Sequence, residues 1–445
     1  MKALLVHHSI LADGYVPMGI SVLSAFLKQK GYEVDVFDTF YYKHNERITS
    51  LSPLFKSVHD FSPKKDVYEA YKERLERFKP NLVGFSATEN EMPMIKRLAG
   101  MTCGPYRVLG GAYATTVPEE AIQINGLDAI CIGEGEEALS ELVRALEQGE
   151  SPRKIKNLWV KENGKITKNP LRPLMDMNEL PFMDYSFCGK ELLSKPFMGE
   201  EYITGQVEMT RGCQFACAYC INSYLHELYK DSPTFLRRKE PERMVAELEF
   251  LKEKHGLEFL RFGDENFLGQ PRKNLEEFAK LYIERIQLPF IMATRPETIT
   301  ERTIEILKTM PCKQASLGIE HGNEKFRREV LRRTCSDKSI AKGFALLREA
   351  GIRSGAYMMI GFPTETEELI GDTFNLALRV NPDIAAVYFF KPYPKTPLMK
   401  LCLEKKLLME GGKANYLEDS IVKGIPIERL KSLKEEFYER FKRRK

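Results

Sequence analysis

The sequence predicts an α/β protein in three parts: an N-terminal parallel-sheet domain, a partial (β/α)6 barrel and a small helical C-terminal region. Three observations predict it. Two long stretches alternate short apolar strand-like runs with helical ones, a proline-rich connector with a hairpin signal separates them, and a cluster of three cysteines follows the first strand of the second stretch. A chain of 445 residues exceeds one ordinary core and suits two or three domains.

In residues 1–148 the strand-like runs are Ala3 to Val6, Glu33 to Phe37, Leu82 to Ser86, Arg107 to Leu109 and Ala129 to Ile132. Five strands separated by helices imply a parallel sheet of the Rossmann-like, flavodoxin-like kind. Turn glycines fall at or beyond strand ends, at Gly110-Gly111 and Gly133-Glu-Gly135, where ligands sit in open α/β sheets. Tight strand-to-helix turns also select glycine for its freedom at positive φ, so ligand binding and plain turn geometry both account for them. The connector, 149–203, places Asn163-Gly164 between Leu158-Trp-Val160 and Lys165-Ile-Thr167, a two-residue hairpin signal. Pro170, Pro173 and Pro181 then hold the chain extended.

Residues 204–395 carry six further runs: Gln206 to Met209, Phe259 to Phe262, Phe290 to Ala293, Ala315 to Ile319, Ala356 to Ile360 and Ala385 to Phe389. Parallel barrels carry their chemistry on the loops after the strands. The last part, 396–445, reads as helices over Leu398 to Leu408 and Pro426 to Lys445 around a loop.

Composition bounds the function. Hydrophobic residues make up 43% and charged residues 29%, and no apolar run reaches the roughly 18 residues of a membrane span. The start, Met1 to Val6, reads as a buried strand, so a cytoplasmic location is expected. A net charge of +4, from 67 basic and 63 acidic residues, does not call for nucleic acid. The basic end, Glu439 to Lys445, reads as a solvated helix tail, with peripheral contact to an anionic membrane as the alternative. Nine cysteines without a secretory context fit a reducing interior; Cys103, Cys131, Cys188, Cys312, Cys335 and Cys402 stand singly and are expected as buried free thiols.

The remaining three form Cys213-Gln-Phe-Ala-Cys217-Ala-Tyr-Cys220, a C-x3-C-x2-C triplet. It has thiolates for three irons of a 4Fe-4S cluster, leaving the fourth iron open to a small molecule. Buried structural cysteines and a zinc site are the other readings, the zinc site needing a fourth ligand such as His226.

With Arg211-Gly212 before it, Tyr219 inside it and Asn222 after it, the segment resembles the signature of the radical S-adenosylmethionine (SAM) enzymes. The resemblance implies that Cys213, Cys217 and Cys220 hold the cluster, that Tyr219 packs near it, and that the open iron chelates SAM before reductive cleavage to a 5'-deoxyadenosyl radical. It extends along the strand ends. Gly263-Asp264-Glu265 resembles the motif that receives the SAM amino group, Thr294-Arg295 follows the third strand, Glu320 would hydrogen-bond ribose or the amino group, and Gly361-Phe-Pro363 resembles the motif near adenine. Taken singly, Asp264 and Glu265 could cap a helix, Arg295 could pair with Glu297, and Gly361 could simply turn the chain. Tyr393-Pro-Lys395-Thr-Pro397 departs from relatives, which often carry Gly at the Lys395 position.

The first domain resembles the cobalamin-binding domain that often precedes a radical SAM core, in Pro17-Met-Gly19, Gly31-Tyr-Glu-Val-Asp35, Val108-Leu-Gly110-Gly111-Ala112, Pro118-Glu-Glu120 and Gly133-Glu134-Gly-Glu136. The D-x-H-x-x-G motif that places a His beneath cobalt is missing, Asp13-Gly-Tyr15 putting Tyr where the His would stand; His7 and His8 are alternative contacts or satisfied structural histidines. Together these imply a cobalamin-dependent radical SAM enzyme, C-methylation at an unactivated carbon as its reaction, and a one-electron reductant such as flavodoxin or ferredoxin. The substrate class stays open between small molecule, lipid and peptide. Radical cyclisation or rearrangement without methyl transfer, a methylthiotransferase and a non-catalytic cobalamin or metal sensor are the other readings.

Overall fold

A computed structural model describes residues 1–11, 14–46, 62–232, 235–409 and 420–444. The chain divides into two compact units, residues 1–206 with 250–258, and residues 207–249 with 259–445.

In the first unit, β1 (Lys2–His7), β2 (Glu33–Asp38), β3 (Leu82–Ser86), β4 (Tyr106–Gly110) and β5 (Ala129–Cys131) are parallel, and β6 (Leu158–Glu162) and β7 (Lys165–Lys168) continue the same sheet in the order β2-β1-β3-β4-β5-β6-β7. β1 is apolar throughout its middle, Ala3 to Val6 being at most 1% exposed, as expected of a parallel strand covered on both faces. The hairpin of the connector is therefore part of the sheet: β6 pairs antiparallel with β5 and β7 with β6. Asn163 and Gly164 both have positive φ, 51° and 73°, as a type I′ turn requires. Arg172 ties the following segment back, each of two guanidinium nitrogens lying 2.9 Å from a carboxylate, Glu137 and Glu141, on helix Glu136–Glu147. β8 (Ser194–Phe197) and β9 (Glu200–Val207) form a further antiparallel hairpin.

The second unit opens with a short antiparallel ribbon, β10 (Thr210–Arg211) with β11 (Arg237–Arg238). Its curled parallel sheet consists of β12 (Phe259–Phe262), β13 (Phe290–Thr294), β14 (Cys312–Glu320), β15 (Arg353–Ile360) and β16 (Ile384–Phe389), neighbours in chain order. The Gly263 N–H donates to the Val207 carbonyl at 2.7 Å, joining the end of β9 to this series. The first barrel strand thus differs from the expected Gln206 to Met209. It starts earlier, at Glu200, and breaks at Glu208-Met209, because the backbone N–H groups of Met209 and Thr210 turn to the Asp264 carboxylate.

Beneath the ribbon lies a buried ion pair. Lys239 Nζ meets Glu247 Oε2 at 2.7 Å, the two side chains being 2% and 0% exposed, and the Lys239 N–H donates to the Met209 carbonyl.

The C-terminal helices are Pro397–Glu404 and Ile427–Lys442. The second packs Phe437 on Phe374 with ring centroids 4.7 Å apart. The charged residues of the tail from Glu439 to Arg444 are exposed, as expected of a solvated end, with Phe441 buried among them; Arg440 also donates to Asn375 Oδ1 and Arg444 to the Leu378 carbonyl, both on helix Glu367–Val380. Lys445 lies outside the described residues. Among those described, no helix is long and apolar enough to cross a membrane.

Candidate functional site

The cysteine triplet occupies the loop between β10 and helix Ile221–Leu228. Gly212 admits the chain to it at φ +89°, where a Cβ would stand 2.6 Å from the Phe235 carbonyl oxygen, so both the torsion and the close approach demand glycine. The Ala218 N–H donates to the Leu331 carbonyl and the Cys220 N–H to the Cys217 carbonyl, fixing the loop's course. Cys217 is buried, while Cys213 and Cys220 are half-buried.

One finding weighs against mononuclear zinc: His226, its proposed fourth ligand, has Nε2 2.8 Å from the Cys213 carbonyl oxygen. Each thiolate of a tetranuclear cluster meets its own iron, so three thiols spread along one loop fit that donor set. Burial pushes the Cys220 thiol up to about 12 and raises Cys213 as well. Iron would have to displace those protons, as a coordinating metal does.

The carboxyl ends of the strands surround this loop. Gly263, Asp264 and Glu265 follow β12, and the two acids divide. Asp264 is buried and accepts from the Met209 N–H (3.2 Å), the Thr210 N–H (2.7 Å) and the Thr210 hydroxyl (2.6 Å). Its carboxylate clamps the strand break. Glu265 instead reaches open space at the strand ends while densely surrounded by protein. Burial raises its carboxyl, Glu208 adds to that, and a hydrogen bond with Asn222 opposes both. Asn222 also donates to Cys220 Sγ at 3.6 Å, so one amide links the Glu265 carboxylate to the third cysteine. An ionisable carboxylate beside the loop suits an ammonium ligand.

Thr294 and Arg295 end β13 on a hub that the sequence reading missed, Asn266. Its Oδ1 accepts from the Thr294 hydroxyl (2.7 Å) and the Arg295 N–H (3.1 Å). Arg295 pairs with Glu297, as its simpler reading expected, and also donates to Cys217 Sγ at 3.3 Å. Glu320 closes β14 at φ +66° on a register shift, and its carboxyl, raised by burial, is pulled back by Arg333 and hydrogen-bonded by Tyr219. Tyr219 therefore joins the cysteine loop to Glu320, and its ring meets Phe362 edge-on at 6.4 Å. Gly361, at φ +83°, follows β15. The carboxylate of Glu365, also missed, receives the N–H groups of Gly361 (2.6 Å) and Phe362 (3.0 Å) and pairs with buried His321 at 3.0 Å. Neither Asn266 nor Glu365 belongs to a quoted motif; their positions one and four residues beyond Glu265 and Gly361 were the available signal. Lys395 is exposed at φ +66°, a left-handed torsion that favours glycine, and its side chain lies in solvent.

Asp264 makes a pH prediction. Burial pushes its carboxyl up to about 6, despite three donors. The folded state then binds this proton more tightly than an unfolded chain at roughly 3.9, so stability is fully present below the unfolded value and lost as pH rises through 6. In Asp264→Asn, urea midpoints of the protein free of cofactor should lose that component, on the order of 2–3 kcal/mol between pH 4 and 7. An unchanged difference from wild type across the range would sink the assignment.

In the first unit the glycines gather at the carboxyl edge of the parallel strands. Gly110 ends β4; Gly111, at φ +87°, lies so close to the chain after β3 that a Cβ would stand 2.8 Å from the Ala87 carbonyl oxygen and 2.9 Å from its nitrogen. The Gly133 N–H, past β5, donates to Thr115 Oγ1 (3.0 Å), whose own hydroxyl donates to the Gly111 carbonyl (2.9 Å). The carbonyl of Glu134 accepts from Asn157. Pro17 precedes helix Met18–Gln29 as its N-cap, two residues past Tyr15. Ser9, after β1, and Ser21, in the first turn of helix Met18–Gln29, carry buried hydroxyls with no hydrogen-bond partner. A backbone-lined glycine edge with spare hydroxyls fits a large polar-edged cofactor. His8 takes the structural role: it is fully buried, with Nδ1 2.7 Å from Thr39 Oγ1 and Nε2 3.2 Å from Glu46. Asp13 lies outside the described residues. Of the single cysteines, Cys131, Cys312, Cys335 and Cys402 are buried as expected, Cys188 is half-buried and Cys103 is exposed.

Residues 207–377 match the family described as the radical SAM superfamily, and residues 11–143 match the B12 binding domain. The chain carries a B12 binding domain followed by a radical SAM domain. It is 26% identical over 341 residues to an uncharacterized methyltransferase of Pyrococcus horikoshii, covering 75% of this chain and 72% of that one. It is 23% identical over 464 residues to the anaerobic magnesium-protoporphyrin IX monomethyl ester cyclase of Rubrivivax gelatinosus, covering 98% and 77%. In fold it is similar to the radical SAM methyltransferase TsrM of Kitasatospora setae, solved with cobalamin and a 4Fe-4S cluster, at a TM-score of 0.69, 18% identity and coverage of 91% and 75%. The cofactors of this radical SAM enzyme are accordingly a 4Fe-4S cluster, SAM and cobalamin.

Proposed function

We propose that the protein methylates an unactivated carbon of its substrate. When bound, the cluster and SAM supply a hydrogen-abstracting radical and cobalamin supplies the methyl group; the chain supplies position and exclusion. The observation that carries the reading is the gathering of Cys213, Cys217, Cys220, Glu265, Glu320 and Gly361 on one rim of the second unit, in a chain whose first unit matches the B12 binding domain.

On this reading the three cysteines hold the cluster, Glu265 takes the SAM amino group, and Glu320 with Tyr219 and Arg333 faces the ribose. The Gly361-Phe362 turn, clamped by Glu365, flanks adenine. Thr294 and Arg295 keep the rim in register from the Asn266 hub, while Gly110, Gly111, Gly133, Glu134 and Pro17 line the cobalamin edge within a domain of residues 1–148. A one-electron donor of the flavodoxin or ferredoxin class supplies the electron, in the cytoplasm. The substrate is a small molecule, a lipid or a peptide; a net charge of +4 does not call for nucleic acid.

Cyclisation without methyl transfer is the second reading, favoured by the similarity to the Rubrivivax cyclase. Anaerobic reconstitution with SAM labelled in its methyl group, under reduction and with cobalamin added, separates the two. The proposal expects 5'-deoxyadenosine, retained cobalamin and label in the product. Product without label would transfer the assignment to cyclisation or rearrangement.

A further inference from the structure

We propose that Arg295 is a positioning residue that raises the reduction potential of the cluster by acting on the Cys217 sulfur, an inference that rests on Cys217 being a cluster ligand. Its guanidinium Nη1 lies 3.3 Å from Cys217 Sγ. The same group stacks on Phe215, inside the cysteine loop, with Cζ 3.6 Å from the ring centroid. Glu297 Oε1 holds its far side, 2.6 Å from Nε and 2.5 Å from Nη2, and its backbone N–H is fixed by Asn266. The side chain is 5% exposed, so water screens it little.

Such an arrangement bears on the electron, not on a bond. When a low-potential one-electron donor reduces the cluster, one electron enters, no bond forms or breaks at the protein, and electron density on the cluster and its thiolates increases. A cation donating to one of those sulfurs stabilises the reduced state more than the oxidised one, because hydrogen bonds to sulfur and nearby charge set such potentials. Glu297 works in the opposite direction. It neutralises part of the arginine's charge and at the same time fixes its rotamer, so the pair presents a directed donor with a moderated field.

The test is the midpoint potential of the reconstituted full-length protein, read by electron paramagnetic resonance during anaerobic titration with titanium(III) citrate, with iron and sulfide contents measured alongside. Arg295→Leu should shift the midpoint to lower potential, Arg295→Lys should shift it less, and Glu297→Gln should shift it to higher potential at equal cluster content. A merely structural role predicts lost cluster or no shift, never shifts of opposite sign. If Arg295→Leu holds no cluster, the other two variants decide: midpoints unmoved in both overturn the inference. Absence of any cluster signal in the wild-type protein would instead overturn the cysteine assignment.

Discussion

Replacing Cys213, Cys217 and Cys220 together by Ala abolishes reductive cleavage of SAM: 5'-deoxyadenosine falls to the level of a control without protein, and the visible absorption of the reconstituted cluster disappears. The loss exceeds the roughly 10–100-fold that removing an outer hydrogen-bond partner of a metal ligand costs, because no donor remains to hold the irons. His226 is turned to the Cys213 carbonyl, and Glu265 is linked to the loop through Asn222, so neither stands in for a thiolate. The fold should survive, since two of the three thiols are half-buried and burial already favours their neutral form. Circular dichroism of the variant should therefore overlay the wild type. Persistent 5'-deoxyadenosine formation would remove the triplet from the chemistry.

The largest expected effect on stability comes from Lys239→Met. It removes the partner 2.7 Å from Glu247, whose side chain is fully buried. Deleting one member of a buried pair costs about 3–5 kcal/mol where the remaining charge is left alone, an upper bound here. Arg243, 3.3 Å from the same carboxylate, softens but does not cancel this. The double variant Lys239→Met with Glu247→Leu should recover most of the loss, since the desolvation cost of both charges goes with them. Urea denaturation of the two variants beside wild type measures it; equal instability in the single and double variants would show that packing, and not the lost ion pair, is responsible. Because the Lys239 backbone also holds Met209, next to the Asp264 clamp, the single variant should load less cluster as well.

The alternation of apolar runs and turns made both sheets legible, since parallel strands buried on two faces need runs such as Ala3 to Val6 and Ala356 to Ile360. The cysteine loop was legible for a chemical reason: its spacing is a ligand pattern, and spacing survives in one dimension. Less visible was what the third dimension decides. Asp264 and Glu265 are adjacent acids, and only the break after Val207 determines that one is spent on backbone N–H groups while the other faces the rim. Asn266, Arg333 and Glu365 carry no pattern, because their partners lie 28, 15 and 44 residues away or follow a local turn. The tail was legible from its composition, its charged residues being exposed, while the acceptors that Arg440 and Arg444 meet on the neighbouring helix carry no mark in the sequence.

The antiparallel hairpin beyond β5 matters for anyone who would cut the protein in two. Ending a fragment at residue 148 would strip β6 and β7 away and leave β5 as an open edge, with the backbone groups of Ala129 to Cys131 that now meet Leu158 to Val160 unpaired. A short apolar edge of that kind templates strand addition from a second molecule. Such a fragment should aggregate at concentrations where one carried past Arg172 stays dispersed, so the segment that reads in one dimension as mere connector works as the seal on the first sheet.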